Sequence, residues 1–238
     1  HHDHMIPLAE LVHRPEALDD YLAAWSSAFG SRGITVLTAY TGLPNNERFA
    51  ARHESALRQT IGRIASSFPE LRTVTTNPDP LPNGERKTDE MLEAEIRDLI
   101  VLAGVFKEHG IKLSLHFHTP ELRDDARELH AILSAVPANT LALTFDVNWC
   151  LRGGQPIRGI LDRYEDRVDI VHLRSSRAGV WEERLGPGDE DNPGVLQRLR
   201  SDAMSLICVV ELANEPAMQV TMNLTERLRA SRVALEEW

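Results

Sequence analysis

Two cysteines, Cys150 and Cys208, are too few for a disulfide framework, and Cys208 lies in an apolar run where a packed thiol is expected. Basic residues are outnumbered: 26 Lys and Arg against 36 Asp and Glu leave a net charge of -10. No Lys/Arg stripe supplies the field that a nucleic acid backbone requires, so nucleic acid is not an expected partner and a small neutral or cationic ligand fits better. No apolar run approaches the length that spans a bilayer, and no secretory pattern stands at the N-terminus; no membrane partner and a cytoplasmic location are expected. An internal repeat, a low-complexity linker and a glycine-rich phosphate cradle are also lacking, "LRGGQP" (151–156) being too short a signal to count.

What is present is 238 residues with 42% hydrophobic content, enough to bury the core of one all-parallel α/β barrel. One domain over 5–238 is expected. Residues 1–4, in "HHDHM", read as a tag remnant or disordered leader, because Met5 can serve as an initiator and the histidines precede any patterned segment.

Short apolar runs alternate with longer amphipathic stretches, the signature of repeated βα units. Strands are predicted over 33–42, 71–78, 111–118, 140–149, 168–176 and 205–213. "MIPLAEL" (5–11), ahead of a helix around 15–29, offers a seventh. The clearest helix spans about Asp89 to His109, capped by Thr88, with acids in its first turn and Gly110 at its end. Thr119 and Pro120 start another, and Asn223 with Glu226 has capping-box spacing. An eight-stranded barrel needs one strand more than these, so a TIM (β/α) barrel with its first βα unit missing or atypical is expected. Such a chain would leave a strand edge and apolar helix faces uncovered, and a homo-oligomer would cover them.

Side chains two apart on a strand share a face, and polar groups recur at the C-terminal strand ends, where barrels place their chemistry. Ser114, His116 and His118 of "KLSLHFHTPE" point one way, with Leu113, Leu115 and Phe117 opposite. On the next three strands the inner faces end in Asp146, in His172 with Arg174, and in Glu211. An acid, an imidazole and an acid on successive strands have the composition of a carboxylate-rich divalent-metal site. Each residue also has a structural reading. Asp146 or Glu211 can be a buried carboxylate paired with Arg152 or Arg174, His172 a satisfied core histidine, His116 and His118 loop caps, and Glu121 an acid that complements a helix dipole. Repetition at equivalent strand ends favours the metal site.

The segments "LSLHFHTPELR", "LTFDVNWCLRGG", "DRVDIVHLRSSRAGVWEERLGPGDED" and "CVVELANE" resemble the sugar phosphate isomerase/epimerase family of xylose-isomerase-like TIM barrels. The resemblance implies one divalent ion, Mn, Co, Mg or Zn, held by Asp146, His172 and Glu211. It implies a first ligand at Glu121, with His118 or His116 as the alternative. The activity implied is that of an isomerase or epimerase acting on a sugar, inositol or keto-sugar through a metal-stabilised enediolate. Glu211 would serve as base while ligating, and His116 as acid or base, since an ordinary imidazole titrates near neutrality. His118, Arg174 and Arg177 are candidates for substrate oxygens, and Trp149 and Trp181 for stacking on a sugar face. Many epimerases carry a substrate-binding His where this chain has Trp149, which moves weight toward a lyase or hydrolase of keto-sugar glycosides on the same site. A catalytically inactive carbohydrate-binding barrel is disfavoured by the intact Asp146, His172 and Glu211. DNA-repair endonucleases of the superfamily are disfavoured by charge and by the lack of extra histidines.

Overall fold

The computed structural model describes residues 6–44, 48–200 and 206–238. They fall into two compact units, one within His1–His116 and His130–Ala142, the other within Phe117–Leu129 and Leu143–Trp238.

The first unit contains α1 (Leu8–His13), α2 (Leu18–Gly30), β1 (Thr38–Leu43), α3 (Phe49–Arg52), α4 (Glu54–Ser67), β2 (Thr73–Pro78), α5 (Asp89–Glu108) and β3 (Lys112–Leu115). The strands are parallel in the order β1-β2-β3, with Thr38 beside Thr73 and Thr73 beside Lys112. Helices α4 and α5 pack together and bury Leu57, Ile61, Leu99 and Phe106 completely. Thr88 caps α5 as its sequence predicts, accepting from Met91 N at 3.3 Å, and Gly110 ends the segment at φ +74°, a conformation glycine adopts without strain. A buried ion pair, Lys87 Nζ to Glu95 at 2.6 Å, stands on the same unit with side chains only 3% and 5% exposed.

One expectation is corrected here. The predicted strand over 5–11 is instead α1 from Leu8 onward, while Met5 lies outside the described residues. Leu8, Leu11 and Val12 are spaced to bury one helical face, and Pro7 favours a helix start just after it. A remnant of pairing survives at Ile6, whose N–H donates to the Tyr40 carbonyl at 2.7 Å beside β1.

The second unit contains α6 (Arg123–Ala135) as far as Leu129, β4 (Leu141–Asp146) from Leu143, α7 (Val147–Arg152), α8 (Ile157–Tyr164), β5 (Val168–Leu173), β6 (Ser176–Arg177), β7 (Val180–Trp181), α9 (Asn192–Leu199), β8 (Ile207–Val210) and α10 (Leu224–Glu237). Strands β4, β5 and β8 are parallel neighbours. The helix expected to start at Thr119 and Pro120 begins instead as a 3-10 turn, Pro120–Leu122. Asp124, Asp125 and Ala126 follow with φ of 52°, 56° and 58°, a left-handed run that aspartate tolerates better than most residues. The capping box of α10 forms: Asn223 accepts from Glu226 N at 3.1 Å and Glu226 from Asn223 N at 2.9 Å.

The hairpin β6-β7 was not foreseen. Its two-residue turn has φ 51° at Ala178 and 76° at Gly179, a geometry suited to the twist of short hairpins. Asp189 secures it by accepting from Ala178 N at 3.1 Å and Gly179 N at 2.8 Å.

Candidate metal centre

Parallel register builds the centre in the second unit. Asp146 stands beside His172, and His172 beside Val209. Glu211 lies two residues past Val209 and thus on the same face, and its N–H extends the ladder to the Leu173 carbonyl at 3.0 Å. His172 Nδ1 is 3.8 Å from Asp146 Oδ2 and 3.4 Å from Glu211 Oε2. Asp146 is 1% exposed and His172 9%.

The Asp146 carboxylate has a second task. It is the N-cap of α7, and its Oδ1 accepts from Trp149 N at 2.7 Å. One oxygen thus ends a helix while the other faces His172. A carboxylate anchored in this way is oriented for ligation before any ion arrives, because the cap fixes it.

The donor set fits a divalent ion. Asp146, His172 and Glu211 each offer an atom, and these lie within 4.8 Å of one another. A point within 4.8/√3, about 2.8 Å, of all three therefore exists, close to the roughly 2.0–2.6 Å of metal–ligand bonds. One nitrogen and two carboxylates suit Zn, Mn or Mg, and ligands that bring charge of their own favour the divalent state.

Arg174 shares this face. Only 2% exposed, it forms an ion pair with Glu211, the structural partner that its position in the sequence suggested. Its guanidinium carbon lies 3.6 Å from the Trp181 ring centroid, and that of Arg152 lies 4.3 Å from the same centroid. Both guanidinium groups thus lie over the ring that the sequence offers to a sugar face. Trp149 meets Trp181 edge to face at 5.8 Å and the His118 ring at 4.9 Å.

Other predicted residues take different places. Arg177 is 68% exposed and engages Glu182 at 3.1 Å and the Pro187 carbonyl at 3.0 Å, so its guanidinium serves the hairpin region. Glu121 is buried and accepts from His118 N at 2.7 Å, a local cap across three residues. Among the described residues its carboxylate does not belong to the converging group. The first unit holds His116, 1% exposed, whose N–H donates to the Thr76 carbonyl at 2.7 Å and whose ring lies 5.8 Å from that of Tyr40.

Three residues absent from the sequence-derived set complete the surroundings. Trp181 Nε1 donates to Asn148 Oδ1 at 2.8 Å, and Asn148 donates to Glu190. Glu190, 5% exposed, also accepts from Ser176 N at 2.7 Å and Ser176 Oγ at 2.5 Å. Glu215 accepts from Arg152 Nη2 at 2.9 Å and from Trp181 N at 2.5 Å. Burial raises the Glu215 carboxyl, but the Trp181 N–H and Arg152 outweigh it and hold the group below the usual carboxylate range. Burial, reinforced by Asp146, pushes the Cys150 thiol up to about 12, which leaves it an inert packing group.

The family model for xylose isomerase-like TIM barrels matches residues 5–236. The chain belongs to that family. Among curated proteins it is 33% identical over 98 residues to an inosose dehydratase of Geobacillus kaustophilus (strain HTA426). That match covers 41% of this chain and 32% of the relative, so the chain aligns with only about a third of that protein's length. Among solved structures, the IOLI protein with a binding zinc atom has a TM-score of 0.69 at 17% identity, covering 94% of this chain and 83% of that one. A xylose isomerase-like TIM barrel protein from Mycobacterium smegmatis in complex with magnesium has a TM-score of 0.67 at 13% identity, covering 92% and 78%. These structures share the family's fold with this chain. No helix among the described residues is long and apolar enough to cross a membrane.

Proposed function

We propose that the chain is a divalent-metal-dependent enzyme that removes a proton next to the carbonyl of a sugar, inositol or keto-sugar. The convergence of Asp146, His172 and Glu211 at the ends of three adjacent parallel strands carries this reading. Zinc and magnesium in the two solved relatives support the choice of ion.

Asp146 and His172 would hold the ion, their orientation set by the α7 cap and the strand register. When bound, the ion supplies positive charge to a carbonyl and its neighbouring hydroxyl, which acidifies the carbon beside them. Glu211, the most exposed of the three at 34%, would accept that proton while it ligates. Arg174 keeps Glu211 aimed and adds a cation near the oxygen on which charge develops. Trp149 and His118, packed edge to face on each other, would supply the aromatic contacts to a sugar skeleton. We assign His116 the acid/base role that its residue type allows.

Return of the proton to the same or a neighbouring carbon gives an isomerase or epimerase. Loss of a β-hydroxyl from the same anion gives a dehydratase, and the similarity to inosose dehydratase favours that second outcome for an inositol-derived ketone. Replacement of His116 tests the assignment of roles. His116→Ala is expected to retain the ion by elemental analysis while losing turnover of a ketose or inosose substrate. Loss of the ion in that variant would make His116 a ligand and overturn the acid/base role.

A further inference from the structure

The hydrogen bonds around Trp181 form an unbroken series inside the second unit. Glu190 is buried and takes three donors: Ser176 N at 2.7 Å, Ser176 Oγ at 2.5 Å and the Asn148 amide. Those contacts leave Asn148 one orientation, with Oδ1 toward the indole, where it accepts from Trp181 Nε1 at 2.8 Å. The indole plane is thus fixed at one edge, and its backbone is fixed by Glu215, which accepts from Trp181 N at 2.5 Å. Arg174 stacks on that plane at 3.6 Å, and its Nη2 ends on Glu211.

A buried arginine with a long stem has many rotamers to choose from, and one carboxylate partner does not select among them. The ring face does, because it confines the guanidinium to a parallel plane. From this we infer that Asn148 and Glu190 are positioning residues for the metal centre. They lock Trp181, Trp181 locks Arg174, and Arg174 holds Glu211 in the direction that an ion requires. Asn148, Glu190 and Trp181 thus act through Arg174 and Glu211, not on substrate or ion directly. The inference rests on the proposed metal site, and its first step can be read without metal.

Two measurements on the full chain test it. In metal-free protein the Arg174 Nε–H proton, assigned by its loss in Arg174→Lys, should resonate upfield of exposed arginines because of the Trp181 ring current. Asn148→Ala and Glu190→Gln should move it toward the exposed position. In a cobalt titration followed by visible absorption, the same variants should bind about tenfold more weakly than wild type, the scale on which supporting hydrogen bonds act on metal ligands. Trp181→Phe keeps a ring and loses the N–H, so Asn148→Ala combined with it should be no weaker than the weaker single variant. An unmoved Arg174 signal overturns the inference whatever the metal does. A moved signal with unchanged cobalt affinity removes the link to Glu211 and overturns it too. A moved signal in a chain whose wild type binds no cobalt sinks the proposed function alone and leaves the positioning of Arg174 standing.

Discussion

Asp146→Asn separates the two tasks of one side chain. Asparagine caps helices about as well as aspartate, so the bond from Trp149 N to Oδ1 survives and α7 should persist at a cost of at most about 1 kcal/mol. What disappears is a charge. Unit charges about 4 Å apart attract by roughly 4 kcal/mol at an effective dielectric near 20, and a divalent ion doubles that. The amide oxygen recovers part of it through its dipole, and the buried carboxylate no longer has to be kept out of water. A net loss of at least about 3 kcal/mol remains, more than 100-fold in affinity. Calorimetric titration with Mn or Zn measures it, with circular dichroism and thermal melting as controls for the fold. Wild-type affinity in a folded Asp146→Asn protein would refute the reasoning, because Asp146 is the carboxylate that the strand register sets beside His172.

Lys87→Met removes one member of a pair buried to 3% and 5% exposure. Stranding the Glu95 charge should cost about 3–5 kcal/mol in urea unfolding, and Lys87→Met with Glu95→Leu should recover most of it. A loss below about 1 kcal/mol in the single variant would contradict the buried pairing. In acid, Glu183 and Glu215 set the expected direction. Thr221 and neighbouring N–H groups hold the Glu183 carboxyl below its ordinary value, and the balance at Glu215 has the same sign. Their stabilisation is complete above the ordinary carboxylate range and is lost as pH falls through their depressed values. Urea midpoints should therefore drop as pH falls below about 4, less steeply in Glu183→Gln; equal slopes would remove Glu183 from the account.

Much of the centre was legible because a strand has period two. Alternation alone puts Asp146, His172 and Glu211 on inner faces at strand ends, and the observed register brings the three together. Helix ends were legible for the same local reason, as the Thr88 cap and the Asn223–Glu226 box show. Legibility failed where the deciding contact is distant in sequence. Asn148 meets Glu190 across 42 residues and Trp181 across 33, so no window of sequence announces the lock on the indole. Nor does anything local in the sequence place two arginines over the Trp181 ring. The sequence likewise gives no sign that the short 3-10 turn holding Glu121 sets its carboxylate to accept from His118 N. In residues 5–11, apolar content suggested a strand, but the spacing of Leu8, Leu11 and Val12 after Pro7 is helical.

Proton abstraction beside a carbonyl is common to isomerase, epimerase and dehydratase, and solvent deuterium exchange reads it before any product is known. Metal-loaded protein would be incubated in deuterium oxide with an inosose and a panel of ketoses and followed by proton NMR. The account predicts metal-dependent loss of the signal from the hydrogen next to the carbonyl of at least one compound. It also predicts that this loss is abolished by chelation and reduced at least about 100-fold in Glu211→Gln, the removal of a general base. Exchange that persists undiminished after chelation, or in Glu211→Gln, would contradict the metal centre as the seat of the chemistry. Metal-loaded protein that exchanges none of these hydrogens would contradict the proposed reaction.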